Sequence, residues 1–101
     1  MLKQIFHGFI RMHILFHAST ERIYGMEIIE ELRSHGYKAG PGTVYPILHQ
    51  MENEGYLASE RENVAGKMRV YYRITDAGEE ALTEGRGMLR ELVHEVLGDD
   101  I

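Results

Sequence analysis

Thr43, Pro46, His49, Gln50 and Asn53 fall on one face of a helix, and their types suit hydrogen bonding to base edges in a major groove rather than covalent chemistry. They are polar or small, and none is formally charged at neutral pH. On the opposite face Val44, Ile47, Leu48 and Met51 recur at i, i+3, i+4 and i+7, the apolar stripe by which an amphipathic helix docks on a core. Pro41 and Gly42 stop whatever precedes them, Thr43 begins the turn, and Gly55 stands where a left-handed cap ends the helix. Pro46 lies in or just after the first turn, where a missing N–H costs least. Taken alone, the stretch reads at least as well as a surface helix whose outer face is merely solvated.

Other chemistry finds less support. His13 and His17 lie four apart on one helical face and could ligate a metal if His7 or His94 came near. No Cys or Asp completes a recognisable ligand spacing, so solvated or core-satisfied histidines are favoured, and neither metal nor cofactor is expected. An enzyme would need a nucleophile with its base, paired carboxylates in a cleft, or a phosphate-cradling glycine loop. The glycines sit instead at turns and caps, and a non-enzymatic protein is expected. With no cysteine there is no disulfide framework or thiolate site, which is compatible with a reducing cytoplasm. No apolar run approaches the roughly 20 residues of a membrane span, and the start has no signal-peptide pattern.

What gives the helix a function is the segment after it. Met68, Val70, Tyr72 and Ile74 alternate with Arg69, Tyr71, Arg73 and Thr75, the pattern of a half-buried strand. Leu57 to Glu62 is a weaker partner strand, and residues 63–67 supply the turn. Arg61, Lys67, Arg69 and Arg73 outnumber Glu60 and Glu62, so the hairpin is cationic. A cationic hairpin behind a helix with an uncharged polar face is the arrangement of a winged helix-turn-helix: the helix reads a groove while the wing holds phosphate. The net charge of −5 does not oppose this, because the acids concentrate after residue 75, where Asp76, Glu79, Glu80, Glu84, Glu91, Glu95, Asp99 and Asp100 meet only Arg86 and Arg90. Local potential is what counts, since attraction beyond roughly 8 Å is screened at physiological salt.

These parts need positioning elements. A chain of 101 residues makes one domain with a modest core. Residues 2–17 form a first helix with a wide apolar face that asks for two neighbours, the helix-turn-helix core and a second subunit. A second helix runs from Ile23 or Tyr24 to His35, with Ile28, Ile29 and Leu32 inside, and Gly36 stops it. Lys38 stands in the following turn, either solvated or against a phosphate. Thr75 or Asp76 caps a long last helix, along which Leu82, Leu89 and Val96 recur every seven residues with Leu92 and Val93 alongside. Gly85 and Gly87 weaken the first half of that seam, so the main contact is expected at residues 88–97. The fold class is thus mainly α (α+β): a winged helix-turn-helix over residues 1–75, with a C-terminal dimerisation helix over 76–101 packed as one compact domain with the first helix.

In four places the chain resembles a PadR-family transcriptional regulator of the short type with a single C-terminal helix. They are Tyr24-Gly25-Met26-Glu27-Ile28, Gly42-Thr43-Val44-Tyr45-Pro46-Ile47-Leu48, Glu54-Gly55-Tyr56-Leu57, and the run from Arg69 through Tyr71-Tyr72-Arg73-Ile74-Thr75 to Gly78. The resemblance spans about residues 2 to 97. It implies a homodimeric repressor of bacteria or archaea on a pseudo-palindromic operator, paired through the first and last helices. Small aromatic or amphipathic effectors release some members; the lack of tryptophan here removes the residue on which some relatives stack flat ligands. Thr43, Tyr45 and Pro46 match the family motif that meets DNA, and Gly66, Lys67 and Arg69 match the wing. With Lys38, Gly42, His49 and Gln50 these are the candidate contacts to double-stranded DNA. Phe6, Phe9, Ile10, Leu82, Leu89, Leu92, Val93 and Val96 are the candidate dimer contacts. Two alternatives stand beside this: a winged-helix module that binds protein, disfavoured by the charge of Lys67, Arg69 and Arg73, and a metal-responsive repressor using the histidines.

Overall fold

Ile10, Ile14, Leu15 and Ala18 bury one side of α1 (Leu2–Thr20), the first helix of a computed structural model that describes residues 1–98. Against that side pack α2 (Gly25–Ser34), through Ile28, Ile29 and Leu32, and α3 (Pro41–Asn53), through Val44, Ile47, Leu48 and Met51. The apolar periodicity of both helices is therefore the core of the molecule. At roughly 1.5–3 kcal/mol for each fully buried aliphatic side chain, the α3 stripe outweighs any single surface contact described below.

The ends of these helices follow local chemistry. Gly36 and Gly55, each at φ 87°, take the left-handed conformation after α2 and α3. α3 begins at Pro41, two residues before the expected start at Thr43, with Gly40 as its cap. Proline in the first helical position loses no bond and brings a suitable φ, so Pro41 opens the helix. Pro46 then lies deeper than the first turn, yet the helix runs through it. Its ring faces solvent, and Gly42, whose carbonyl would have accepted its missing N–H, is exposed to water. Tyr45 fixes the α2–α3 crossing. A Cβ on Gly25 would lie 2.3 Å from its ring, so only glycine admits this approach.

Ile23 and Tyr24 do not start α2 as expected; they form a short strand β1 (Ile23–Tyr24). It pairs antiparallel with β3 (Lys67–Ile74), Ile23 opposite Tyr72 and Tyr24 opposite Tyr71. On its other edge β3 pairs along its whole length with β2 (Leu57–Val64), giving the sheet order β1-β3-β2. Strand alternation holds only in part. Tyr72 enters the core, but Tyr71 is buried too, because Arg22 and Tyr24 cover the outer face of the sheet. Met68, expected on the buried face, is 62% exposed, since the hairpin tip runs past the helices.

Thr75 joins the hairpin to α4 (Asp76–Leu97). Its hydroxyl accepts from Gly78 N–H at 3.1 Å and donates to the carbonyl of Gly55 at 2.6 Å, tying the end of α3 to the start of α4. Residues 99–101, assigned from sequence to the end of the last helix, lie outside the described residues.

The hairpin turns on Ala65 and Gly66, at φ 52° and 83°. Two positive φ values define the turn that matches strand twist, and asparagine or glycine is usual in both places. Alanine there carries the steric penalty of the left-handed region. Ala65→Asn is therefore expected to stabilise the protein by about 1 kcal/mol, read as a higher urea midpoint with unchanged slope.

Candidate nucleic-acid interface

The packing of α3 decides which of its side chains are available to a ligand. Gly42, Pro46, His49 and Asn53 form its exposed outer line. Thr43 is half-buried beside them. Tyr45, a candidate DNA contact, is half-buried against Gly25, so its ring is first a packing group. Gln50 is exposed but already engaged: the guanidinium of Arg11 donates to its Oε1 and, through Nη1, to Glu54 Oε1 at 2.9 Å. Lys38 stands exposed in the turn before α3.

Ion pairing sorts the wing charges. Arg22 binds Glu60 at 3.1 Å and Glu62 at 2.5 Å, while Arg73 binds Glu60 at 3.1 Å. These bonds hold the Glu60 carboxyl below the usual carboxylate range, Arg22 contributing most. Arg69, expected as a wing contact, lies 4.0 Å over the ring of Tyr24 and donates to the Tyr71 hydroxyl at 3.3 Å. Arg73 and Arg69 are thus committed to the base of the wing. Among the described residues Arg61 and Lys67 have no ion pair and stand exposed, Lys67 beside Gly66 at the tip and Arg61 opposite Val70 midway along β2. Arg11 and Arg22 carry no local signal in the sequence. Neither belongs to a periodic pattern, and each acquires its partners from elements remote in the chain.

The expected dimer residues divide in the same way. Ile10 and Leu82 are 0% and 2% exposed inside the chain's own core, so neither can meet a second chain. The helical face had to be split between two neighbours, and both residues fall on the inner one. Phe6 packs on Tyr37 with ring centroids 5.4 Å apart, also within the chain. Leu89 and Val93 are half-buried, whereas Phe9, Leu92 and Val96 are exposed, together with Ile5, Met88 and Leu97. Between α1 and α4 runs an apolar groove of about 980 Å³ lined by Ile5, Phe9, Met12, Met88, Leu89 and Leu92. At Gly85 the end of the Met12 side chain packs on α4, 2.6 Å from where a Cβ would stand.

Residues 14–84, which run from the second half of α1 into α4, match the PadR-like transcriptional regulator family model. The chain belongs to that family. This PadR-like protein is 49% identical over 88% of its length to the transcriptional regulator Rv3488 of Mycobacterium tuberculosis, covering 83% of that protein. It is 32% identical over 88% of its length to the transcriptional regulator YqjI of Escherichia coli, but covers only 42% of that longer protein. A PadR family regulator of Eggerthella lenta superposes with a TM-score of 0.82 at 32% identity, over 99% of this chain and 91% of the other. A PadR-like regulator of Bacillus cereus gives 0.77 at 32% identity, over 96% and 99%. Among the described residues no helix is long and apolar enough to cross a membrane.

The histidines of this PadR-like regulator meet one another, without the ligand set a metal requires. His13 stacks on His35 with centroids 5.1 Å apart, and its Nε2 lies 3.2 Å from the Tyr37 hydroxyl. His35 and His17 approach one oxygen of Glu31, at 3.1 and 3.5 Å. Among the described residues no group of three or more His, Cys, Asp or Glu side chains could hold a metal ion. Burial, then His35, then His17 lower the pKa of His13 from 6.5, with Glu31 opposing them. The folded protein therefore binds a proton there less readily than the unfolded chain. Its contribution is complete above pH 6.5 and is lost as pH falls from there through the folded value. Unfolding free energy should decline as pH falls below about 6.5, and His13→Gln should make the decline shallower, as urea titrations at several pH values would measure.

Proposed function

We propose that this PadR-like regulator is a cytoplasmic repressor that binds a pseudo-palindromic DNA site as a homodimer. The observation that carries this is the pairing of an exposed, uncharged line on α3 with a wing whose acids are already neutralised. Pro46, His49 and Asn53 meet base edges, with Thr43 and Gln50 flanking them. Arg61 and Lys67, whose charge is not spent within the chain, hold phosphate, with Lys38 at the other end of α3. The same features weigh against a protein-binding module, because a surface for protein would not need unpaired cations along a hairpin. Arg61→Ala and Lys67→Ala should each reduce the salt slope of DNA binding by roughly one unit and weaken all sequences alike. Titrations at several salt concentrations measure this; unchanged slopes in both would remove the wing from the interface.

A second copy of the chain fills the α1–α4 groove. Leaving Ile5, Phe9, Met88, Leu92, Val96 and Leu97 in water would keep a large contiguous apolar surface on a small protein. Pairing about a two-fold axis buries it and sets two α3 helices roughly 34 Å apart, one turn of DNA. Release by a small-molecule effector fits a recess of about 400 Å³ that adjoins this face, where Phe9, Phe16, Tyr37 and Leu89 surround His13 and Arg86. Leu92→Glu should dissociate the dimer and weaken DNA binding together, because an unpaired carboxylate at a symmetric contact is strongly disfavoured. Sedimentation of wild type and variant at micromolar concentration gives the answer; a monomeric wild type that binds a full site tightly would exclude the dimer.

A further inference from the structure

We infer that Arg11 is a positioning residue that fixes which end of the Gln50 amide faces DNA, so that Gln50 reads a guanine rather than an adenine. The inference rests on α3 being the DNA-reading helix, as proposed above. Arg11 projects from α1 between core residues: Ile10 and Ile14 are 0% exposed, so the backbone that carries it is held in place. Its guanidinium reaches two side chains four residues apart, Gln50 on α3 through Nη2 and Glu54, the residue that caps α3, through Nη1. The ion pair with Glu54 at 2.9 Å anchors the group from the second side.

A guanidinium can only donate hydrogen bonds. The Gln50 atom turned toward it must therefore be Oε1, since the reverse orientation would set an NH2 group against the N–H donors of Arg11. The amide is left with its NH2 pointing away from α1. A free glutamine reads adenine with both ends of its amide, donating to N7 and accepting from N6. With Oε1 turned toward Arg11, the end of the Gln50 amide that faces away from α1 is its NH2 donor. Guanine presents two acceptors, N7 and O6, on the same edge and is the base that such a donor selects.

The test is selection from randomised duplexes by the wild-type chain and by Arg11→Met, Arg11→Lys, Gln50→Ala and Gln50→Glu. Gln50→Ala locates the base pair concerned as the position where preference relaxes. There the wild type should favour guanine. Arg11→Met keeps the apolar stem but frees the amide, and should move that one position toward adenine by about fivefold or more. Arg11→Lys restores a donor to Oε1 and should keep guanine. Gln50→Glu, an exposed change that leaves the fold intact, can accept from Arg11 but cannot donate, and should lose guanine even if Arg11→Met does not fold. A purely structural tie between α1 and α3 would lower the thermal midpoint without altering one column of the preference matrix. Adenine preferred by the wild type at that position, an unchanged matrix in folded Arg11→Met, or guanine retained by Gln50→Glu would overturn the inference while DNA binding stands. A wild type that selects no sequence would overturn the DNA reading, and this inference with it.

Discussion

The burial of Val44, Ile47, Leu48 and Met51 against α1 and α2 is the constraint on which the rest of this PadR-like regulator depends. With those side chains inside, the rotation of α3 about its axis is settled, and so is the line of Gly42, Pro46, His49 and Asn53 outside. Two glycines sharpen the position. Gly25 lets the ring of Tyr45 close on α2, and Gly78 lets α4 approach the backbone of Tyr56, where a Cβ would lie 2.3 Å from its carbonyl oxygen. A helix placed by packing on several sides presents its outer groups in one fixed pose, which recognition through hydrogen bonds to base edges requires.

Charge is organised around the same frame. The acids Glu60 and Glu62 of the wing sit beside Arg22 and Arg73, so the hairpin's basic character is spent partly on itself. Exposed pairs of this kind contribute little to stability. Their consequence is spatial: they offset the negative charge of the wing and leave Arg61 and Lys67 without an ion pair. Arg69 and Arg22 stack on tyrosines at the base, where they stiffen the join between β1 and β3.

The helices and the wing were legible in the sequence because each has a local period or cap. The stripe of α3, the glycines at 36 and 55 and the capping threonine at 75 all depend on near neighbours in the chain. β1 was not legible, because a two-residue strand has no period and exists only through pairing with Tyr71 and Tyr72, remote in sequence. The partners of Arg69 and Arg73 were not legible for a related reason: strand register decides which partner a side chain meets, and register is a property of the folded sheet. The broad apolar face of α1 announced two neighbours without saying which residue serves which. Packing gives Ile10, Ile14 and Leu15 to the core and leaves Ile5, Phe9 and Phe16 outside. Arg11, whose partners lie on α3, carried no signal in the sequence at all.

The α1–α4 groove and the outer line of α3 are carried by one hydrophobic core, so on the proposed pairing of two chains the distance between their α3 helices is fixed. The central claim is that these helices enter successive major grooves on one side of the duplex. Dimethyl sulfate protection of guanine N7 atoms on a DNA fragment selected by the protein measures this directly, because N7 is exposed only in the major groove. Two protected clusters centred about one helical turn apart, roughly 10 base pairs, are expected. A single cluster, or binding without any N7 protection, would contradict it.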